Sequence, residues 1–146
     1  MQRGWRPSKS LGQNFLVEGF YINEIIDKSR ITRDDHILEI GAGLGNLTLP
    51  LAQKARKVTA VEKDPVLINK LKAKIASLPS IDNIELLLAD ALNFPFTGLE
   101  APVKVIGNLP YSIATSIILR LIEVRHILGA IYITIQKEVA EKILGQ

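Results

Sequence analysis

Short runs of apolar residues recur along this chain, separated by stretches whose apolar positions repeat at helical spacing. Five runs are compact: Ile37–Ile40 (ILEI), Val58–Val61 (VTAV), Ile84–Ala89 (IELLLA), Val103–Ile106 (VKVI) and Ala130–Ile135 (AIYITI). Each is rich in Val, Ile or Leu and bounded by Gly, Pro, Asn or Asp, as strands buried on both faces of a parallel sheet tend to be. Between them the spacing predicts helices over Leu47–Ala55, Pro65–Ala76, Thr115–Glu123 and Lys137–Leu144. Ahead of the first run, Val17–Ser29 sets Val17, Phe20, Tyr21, Ile25 and Ile26 on one helical face. Pro50 falls inside a helix but near its start, where a missing N–H costs little. Strand and helix alternating five times predict an α/β domain with a mostly parallel sheet of about five strands.

Composition narrows the class. At 146 residues the chain is one domain, since domains run to roughly 100–200 residues. With 47% apolar and 23% charged residues, enough apolar surface exists to offset the ordering entropy, which excludes disorder for the bulk of the chain. No apolar run approaches a membrane span, and the basic start MQRGWRPSKSLGQ lacks the apolar core of a secretory signal. There is no cysteine, so disulfides and thiolate metal sites are excluded and a reducing, cytoplasmic setting is expected. His36 and His126 stand far apart without ligand spacing, so no metal site is expected.

The net charge of +3 sits in Arg3, Arg6 and Lys9; beyond residue 10 the remaining 15 basic residues match the 15 acidic ones. A frayed, solvated terminus explains this arm as well as a phosphate-contacting one does, with Trp5 available to stack on a base.

Glu39-Ile-Gly-Ala-Gly-Leu-Gly45 follows the first strand directly. Glycines tighten the turn and let a ligand approach the backbone with no Cβ in the way. In open α/β sheets ligands bind outside the carboxyl ends of the strands, where this loop lies. A dinucleotide loop needs G-x-G-x-x-G or A, and the sixth position here is Asn46. The form E-x-G-x-G-x-G suits S-adenosylmethionine, which has no pyrophosphate to cradle. Gly41, Gly43 and Gly45 are therefore candidate cofactor contacts. Glu62, at the end of the second strand, is a candidate acceptor for both ribose hydroxyls. Asp90, read as ending the third strand, is the candidate acceptor for the adenine amino group.

The fourth strand runs into Gly107-Asn-Leu-Pro-Tyr111. An exocyclic adenine amine is a poor nucleophile because its lone pair is delocalised into the ring. The Asn108 side-chain oxygen and the Leu109 carbonyl can accept both of its N–H groups and favour a pyramidal nitrogen, if Pro110 holds the turn rigid. Tyr111 can stack on the extruded base. Asn108, Leu109, Pro110 and Tyr111 are thus the candidate catalytic set, with Asn108 also beside the cofactor. A plain strand-to-helix turn is the bland alternative.

These residues resemble the ribosomal RNA adenine dimethyltransferase family, which includes small-subunit rRNA dimethylases, macrolide-resistance 23S methyltransferases and mitochondrial transcription-factor relatives. The matching segments are Leu11-Gly-Gln-Asn-Phe-Leu16, Ile37–Gly45, Val61-Glu-Lys-Asp64, Ala89-Asp-Ala91, Gly107–Tyr111 and Gln136-Lys-Glu-Val139. The resemblance implies a Rossmann-like S-adenosylmethionine-dependent methyltransferase fold and successive transfer of two methyl groups to N6 of adenines in small-subunit rRNA. It further implies that Asn14 and Leu16 close over the cofactor's methionine end and that Phe15 helps frame the target base, although Phe15 could equally anchor the first helix. Lys9 and Gln13 would help order the RNA. Residues 1–16 then form a basic arm and cofactor-closing segment, and 17–146 an S-adenosylmethionine-binding core. Family members carry two more strands and a helical domain, so the core is expected to be incomplete at its C-terminal side, exposing an apolar edge that favours self-association. Three other readings compete: a cofactor-binding RNA or transcription factor, an inactive fragment that still binds the donor, and a nicotinamide-dependent oxidoreductase. Asn46 and the lack of a hydride-site acid or base argue against the last.

Overall fold

The computed structural model describes residues 9–135 and 137–145, without the side chains of residues 9–18, Tyr111, Glu138 and Val139. Five strands form one sheet: β1 (His36–Ile40), β2 (Lys57–Glu62), β3 (Ile84–Leu88), β4 (Val103–Asn108) and β5 (Leu128–Thr134). Their order is β3-β2-β1-β4-β5, with every pairing parallel. The helices are α1 (Lys9–Ser29), α2 (Thr48–Lys54), α3 (Pro65–Ala76), α4 (Tyr111–Glu123) and α5 (Lys137–Leu144).

Each expected strand and helix is present; α3 and α5 have the expected bounds and the others shift at one or both ends. α1 starts at Lys9 instead of Val17, so the backbone of residues 9–16 is continuous with the helix. α4 starts at Tyr111 instead of Thr115 because Pro110, extended at φ −67° and ψ 152°, serves as its N-cap and feeds the helix directly. β3 stops at Leu88, so Asp90 lies two residues beyond the strand and does not end it. Pro50 sits in the first turn of α2, where backbone N–H groups have no helical partner to lose.

The sheet is packed on both faces, and that explains its continuous apolar strands. Leu38, Ile40, Val61, Val103 and Val105 face Ile117 and Leu121 of α4 and the Phe94–Phe96 pair of the β3–β4 connection. Ile37, Val58, Ala60 and Ile106 face the other way, onto Ile25 and Ile26 of α1, Leu51 of α2 and Leu71 of α3. Each fully buried Leu or Ile contributes about 1.5–3 kcal/mol by leaving water.

Polar groups tie helix ends to the sheet. Lys104 on β4 donates to the Ser29 carbonyl at the end of α1 (3.0 Å) and to Asp35 (2.9 Å). Asn83, just before β3, donates to the Ala52 and Ala55 carbonyls at the end of α2 (2.8 and 3.0 Å). These caps fix where α1 and α2 stand against the sheet, and with them the walls of the cleft at its carboxyl end. No helix among the described residues is long and apolar enough to cross a membrane.

Candidate functional site

The strand order reverses between β1 and β4. Ile40 pairs with Gly107, so the glycine loop after β1 and Asn108 leave the sheet side by side. A crevice opens at such a switch point. Its walls include Gly41, Ala42 and Gly43 of the loop, Tyr21 and Ile22 of α1, and Asn108. The cleft opens to solvent. Among the described residues none lining it is Lys or Arg.

The three loop glycines have different work. Gly41 and Gly43 have φ of +81° and +57°, and a Cβ on either would meet nothing within 4 Å. Their bare backbone faces open space, as a ligand cradle requires. Gly45, at φ +87°, is turned the other way: a Cβ there would overlap the Leu71 side chain of α3. The missing Cβ of Gly45 lets the loop pack on Leu71 of α3. The motif's spacing alone does not separate these roles.

Two buried acids support the loop. Glu62, 8% exposed, accepts the Gly43 N–H at 2.8 Å through one carboxylate oxygen and the Asp64 N–H at 3.0 Å through the other. It clamps the loop to the end of β2, and each oxygen keeps a second lone pair for a ligand hydroxyl. Asp64 in turn caps α3 by accepting the Val66 N–H at 2.8 Å. Glu39 is 1% exposed, and the Thr48 hydroxyl lies 2.6 and 2.9 Å from its two oxygens. Burial, aided by the charge of Glu62 and opposed by the Thr48 hydrogen bond, pushes the Glu39 carboxyl up to about 8. Glu39 is therefore protonated at neutral pH and braces the loop from beneath. Its place in the E-x-G-x-G-x-G pattern was visible in the sequence; its partner Thr48 was not.

Asp90 is half-buried beyond β3, and its Oδ1 accepts the Leu92 N–H at 3.0 Å. That bond closes an Asx turn and orients the carboxylate. On the far side of the crevice, Asn108 is exposed while Leu109 is buried, 3% exposed. Gly107 makes this geometry possible: a Cβ there would stand 2.8 Å from the Ile40 carbonyl. Thr134, at the end of β5, accepts the Leu109 N–H on its own carbonyl at 2.9 Å and reaches Asn108 with its hydroxyl. Sequence reasoning gave neither Gly107 nor Thr134 a role, because both depend on which strands lie beside β4. Tyr21, read as part of the apolar face of a helix, lines the cleft instead, beside Ile22. Lys9, Asn14, Phe15, Leu16 and Tyr111 have their side chains outside the described residues, although their backbones lie in α1 and α4.

His36 needs no ligand to explain it. It is buried, with Nε2 2.8 Å from the Thr59 hydroxyl and Nδ1 3.2 Å from the Glu100 carbonyl.

Comparison with known proteins gives this geometry its context. A family model described as "Ribosomal RNA adenine dimethylase" matches residues 6–146, in a family of S-adenosylmethionine-dependent methyltransferases. Ribosomal RNA small subunit methyltransferase A of Mycolicibacterium vanbaalenii is 39% identical over 97% of this chain and 47% of its own. The protein of the same description from Alkaliphilus metalliredigens is 42% identical over 95% and 50%. Among solved structures, a dimethyladenosine transferase from Plasmodium falciparum aligns at TM-score 0.73 with 31% identity, over 87% of this chain and 45% of that one. The 23S rRNA methyltransferase ErmE aligns at TM-score 0.71 with 32% identity, over 86% and 49%. The chain spans about half the length of the relatives it matches. With the family match running from residue 6 to the last residue and two solved relatives aligning over most of its length, this chain belongs to the ribosomal RNA adenine dimethylase family.

Proposed function

We propose that this chain binds S-adenosylmethionine at the carboxyl end of β1 and β2 and transfers its methyl group to N6 of an adenine in ribosomal RNA, twice in succession. One observation carries the reading: the open glycine backbone at Gly41 and Gly43, clamped by Glu62, shares a single cleft with Asn108. The donor set fits the cofactor. Glu62 accepts from the ribose hydroxyls, Asp90 Oδ2 from the adenine amine, and the glycine turn leaves room beside the aminoacyl part. By family resemblance, Asn14 and Leu16 close over that part, and Lys9 and Phe15 engage the RNA.

When bound, S-adenosylmethionine supplies a methyl group on a sulfonium that leaves as a neutral thioether. Asn108 Oδ1 and the Leu109 carbonyl accept the two N–H groups of the target amine and turn its lone pair out of the ring. Pro110 fixes that turn, and Tyr111 stacks on a base drawn out of its helix. The amine sheds its proton after attack, so no strong general base is needed. Alignment of nitrogen and methyl group supplies much of the rate. A cytoplasmic setting is part of this reading. Self-association belongs to the same proposal: Ile131 is 41% exposed on β5, at the edge of the sheet, and sedimentation at two concentrations tests it.

Calorimetry decides the cofactor. S-adenosylmethionine or its demethylated product should bind while NAD does not. Asn108→Ala should keep cofactor affinity within a few-fold and lose methyl transfer to an rRNA hairpin; equal loss of both would overturn the assigned roles.

A further inference from the structure

A second side chain reaches the atom on which the proposed chemistry depends. In the β4–β5 pairing Asn108 stands opposite Thr134. The Thr134 hydroxyl donates to Asn108 Oδ1 at 2.6 Å, and the Thr134 carbonyl accepts the Leu109 N–H at 2.9 Å. The last residue of β5 thus grips the turn twice, by side chain and by backbone, and both Asn108 and Thr134 line the cleft.

We infer that Thr134 is a positioning residue for methyl transfer, its hydroxyl holding the Asn108 amide so that Oδ1 faces the incoming amine. This inference rests on the adenine reading above and deepens it. A free asparagine side chain turns about two torsions, and a half-turn of the amide would present Nδ2–H to the target N–H, donor against donor. One lone pair of Oδ1 takes the Thr134 hydrogen and the other remains for substrate. The backbone bond to Leu109 sets the second acceptor at the same time, because an N–H fixed on one side of Leu109 orients the turn that carries its carbonyl. Serine keeps the hydroxyl; valine keeps shape and strand preference without it.

Three variants test the inference: Thr134→Val, Thr134→Ser and Thr134→Val combined with Asn108→Ala. Misplacement of a reacting group by about 1 Å can cost roughly 100-fold, so Thr134→Val should lower kcat by about 10- to 100-fold. Its KM for an rRNA hairpin and its Kd for S-adenosylmethionine should stay within about twofold of the unsubstituted chain. Thr134→Ser should restore kcat to within a few-fold. The double variant should be no slower than Asn108→Ala alone, since the two residues act through one atom. Independently of activity, the Asn108 side-chain amide signals of labelled protein should move in Thr134→Val and stay in place in Thr134→Ser. An unchanged kcat in Thr134→Val, no rescue by serine, or an equal loss of cofactor affinity would overturn the positioning role alone. No methyl transfer by the unsubstituted chain would overturn the adenine reading and this inference with it.

Discussion

The Glu62 carboxylate accepts the Gly43 N–H across 2.8 Å, binding the end of β2 to the turn that follows β1. Its other oxygen holds the Asp64 N–H, so one buried side chain sets the loop and the entry to α3 together. Glu62→Gln keeps the shape but can accept through one oxygen only, and its amide then faces a backbone donor. Hydrogen bonds to a charged group are worth about 1.5–3 kcal/mol. Calorimetry should therefore show S-adenosylmethionine affinity weakened by about 10- to 100-fold. A Kd within twofold of the unsubstituted chain would remove Glu62 from the binding site.

The loop glycines should separate in experiment. Gly43→Ala places a methyl group in open space at φ +57°, at a backbone cost of about 1–2 kcal/mol. Its main effect should be on cofactor affinity. Gly45→Ala drives a methyl into Leu71 at φ +87°, so the main effect should be on thermal stability. Calorimetry and melting on the same two variants check this, and the reverse pattern would contradict the roles assigned here.

Glu39 should make stability fall as pH rises. Its carboxyl lies near 4.5 when unfolded and is pushed up to about 8 in the fold, so the folded state holds a proton that the unfolded state has lost. The stabilisation is complete below about pH 4.5 and disappears as pH passes 8. Unfolding of the unsubstituted chain against Glu39→Gln, at pH 5 and pH 8.5, should show the native protein losing ground at the higher pH. Parallel curves would mean that Glu39 is charged in the fold.

His36 pulls in the opposite direction. Burial holds its imidazole below 6.5, helped by Lys57 and Arg56 and opposed by the Glu100 carbonyl. The unfolded state therefore takes up a proton first as pH falls below 6.5, and stability should drop there. In a Glu39→Gln background, which removes the competing slope, adding His36→Gln should flatten the curve between pH 7 and pH 5.5. A slope unchanged by that substitution would show that His36 titrates normally.

Much of this protein is set by local sequence. Five Val/Ile/Leu runs bounded by turn residues fix five strands, because a strand buried on both faces must be apolar throughout. Asp64-Pro65 opens α3 where expected, since proline has the right φ and the aspartate takes an orphan N–H. The glycine turn, Glu62 and the Asn108-Leu109-Pro110 bend were also legible, because each is a short continuous motif after a strand. Only the tertiary structure assigns what depends on neighbours distant in the chain. Strand order makes β5 the partner of β4 and so brings Thr134 to Asn108. The packing of α3 under the loop turns Gly45 toward Leu71, and the depth of β1 keeps a proton on Glu39. A side chain's chemical type is written at its own position, whereas its partner, its burial and the state of its proton are properties of the space around it.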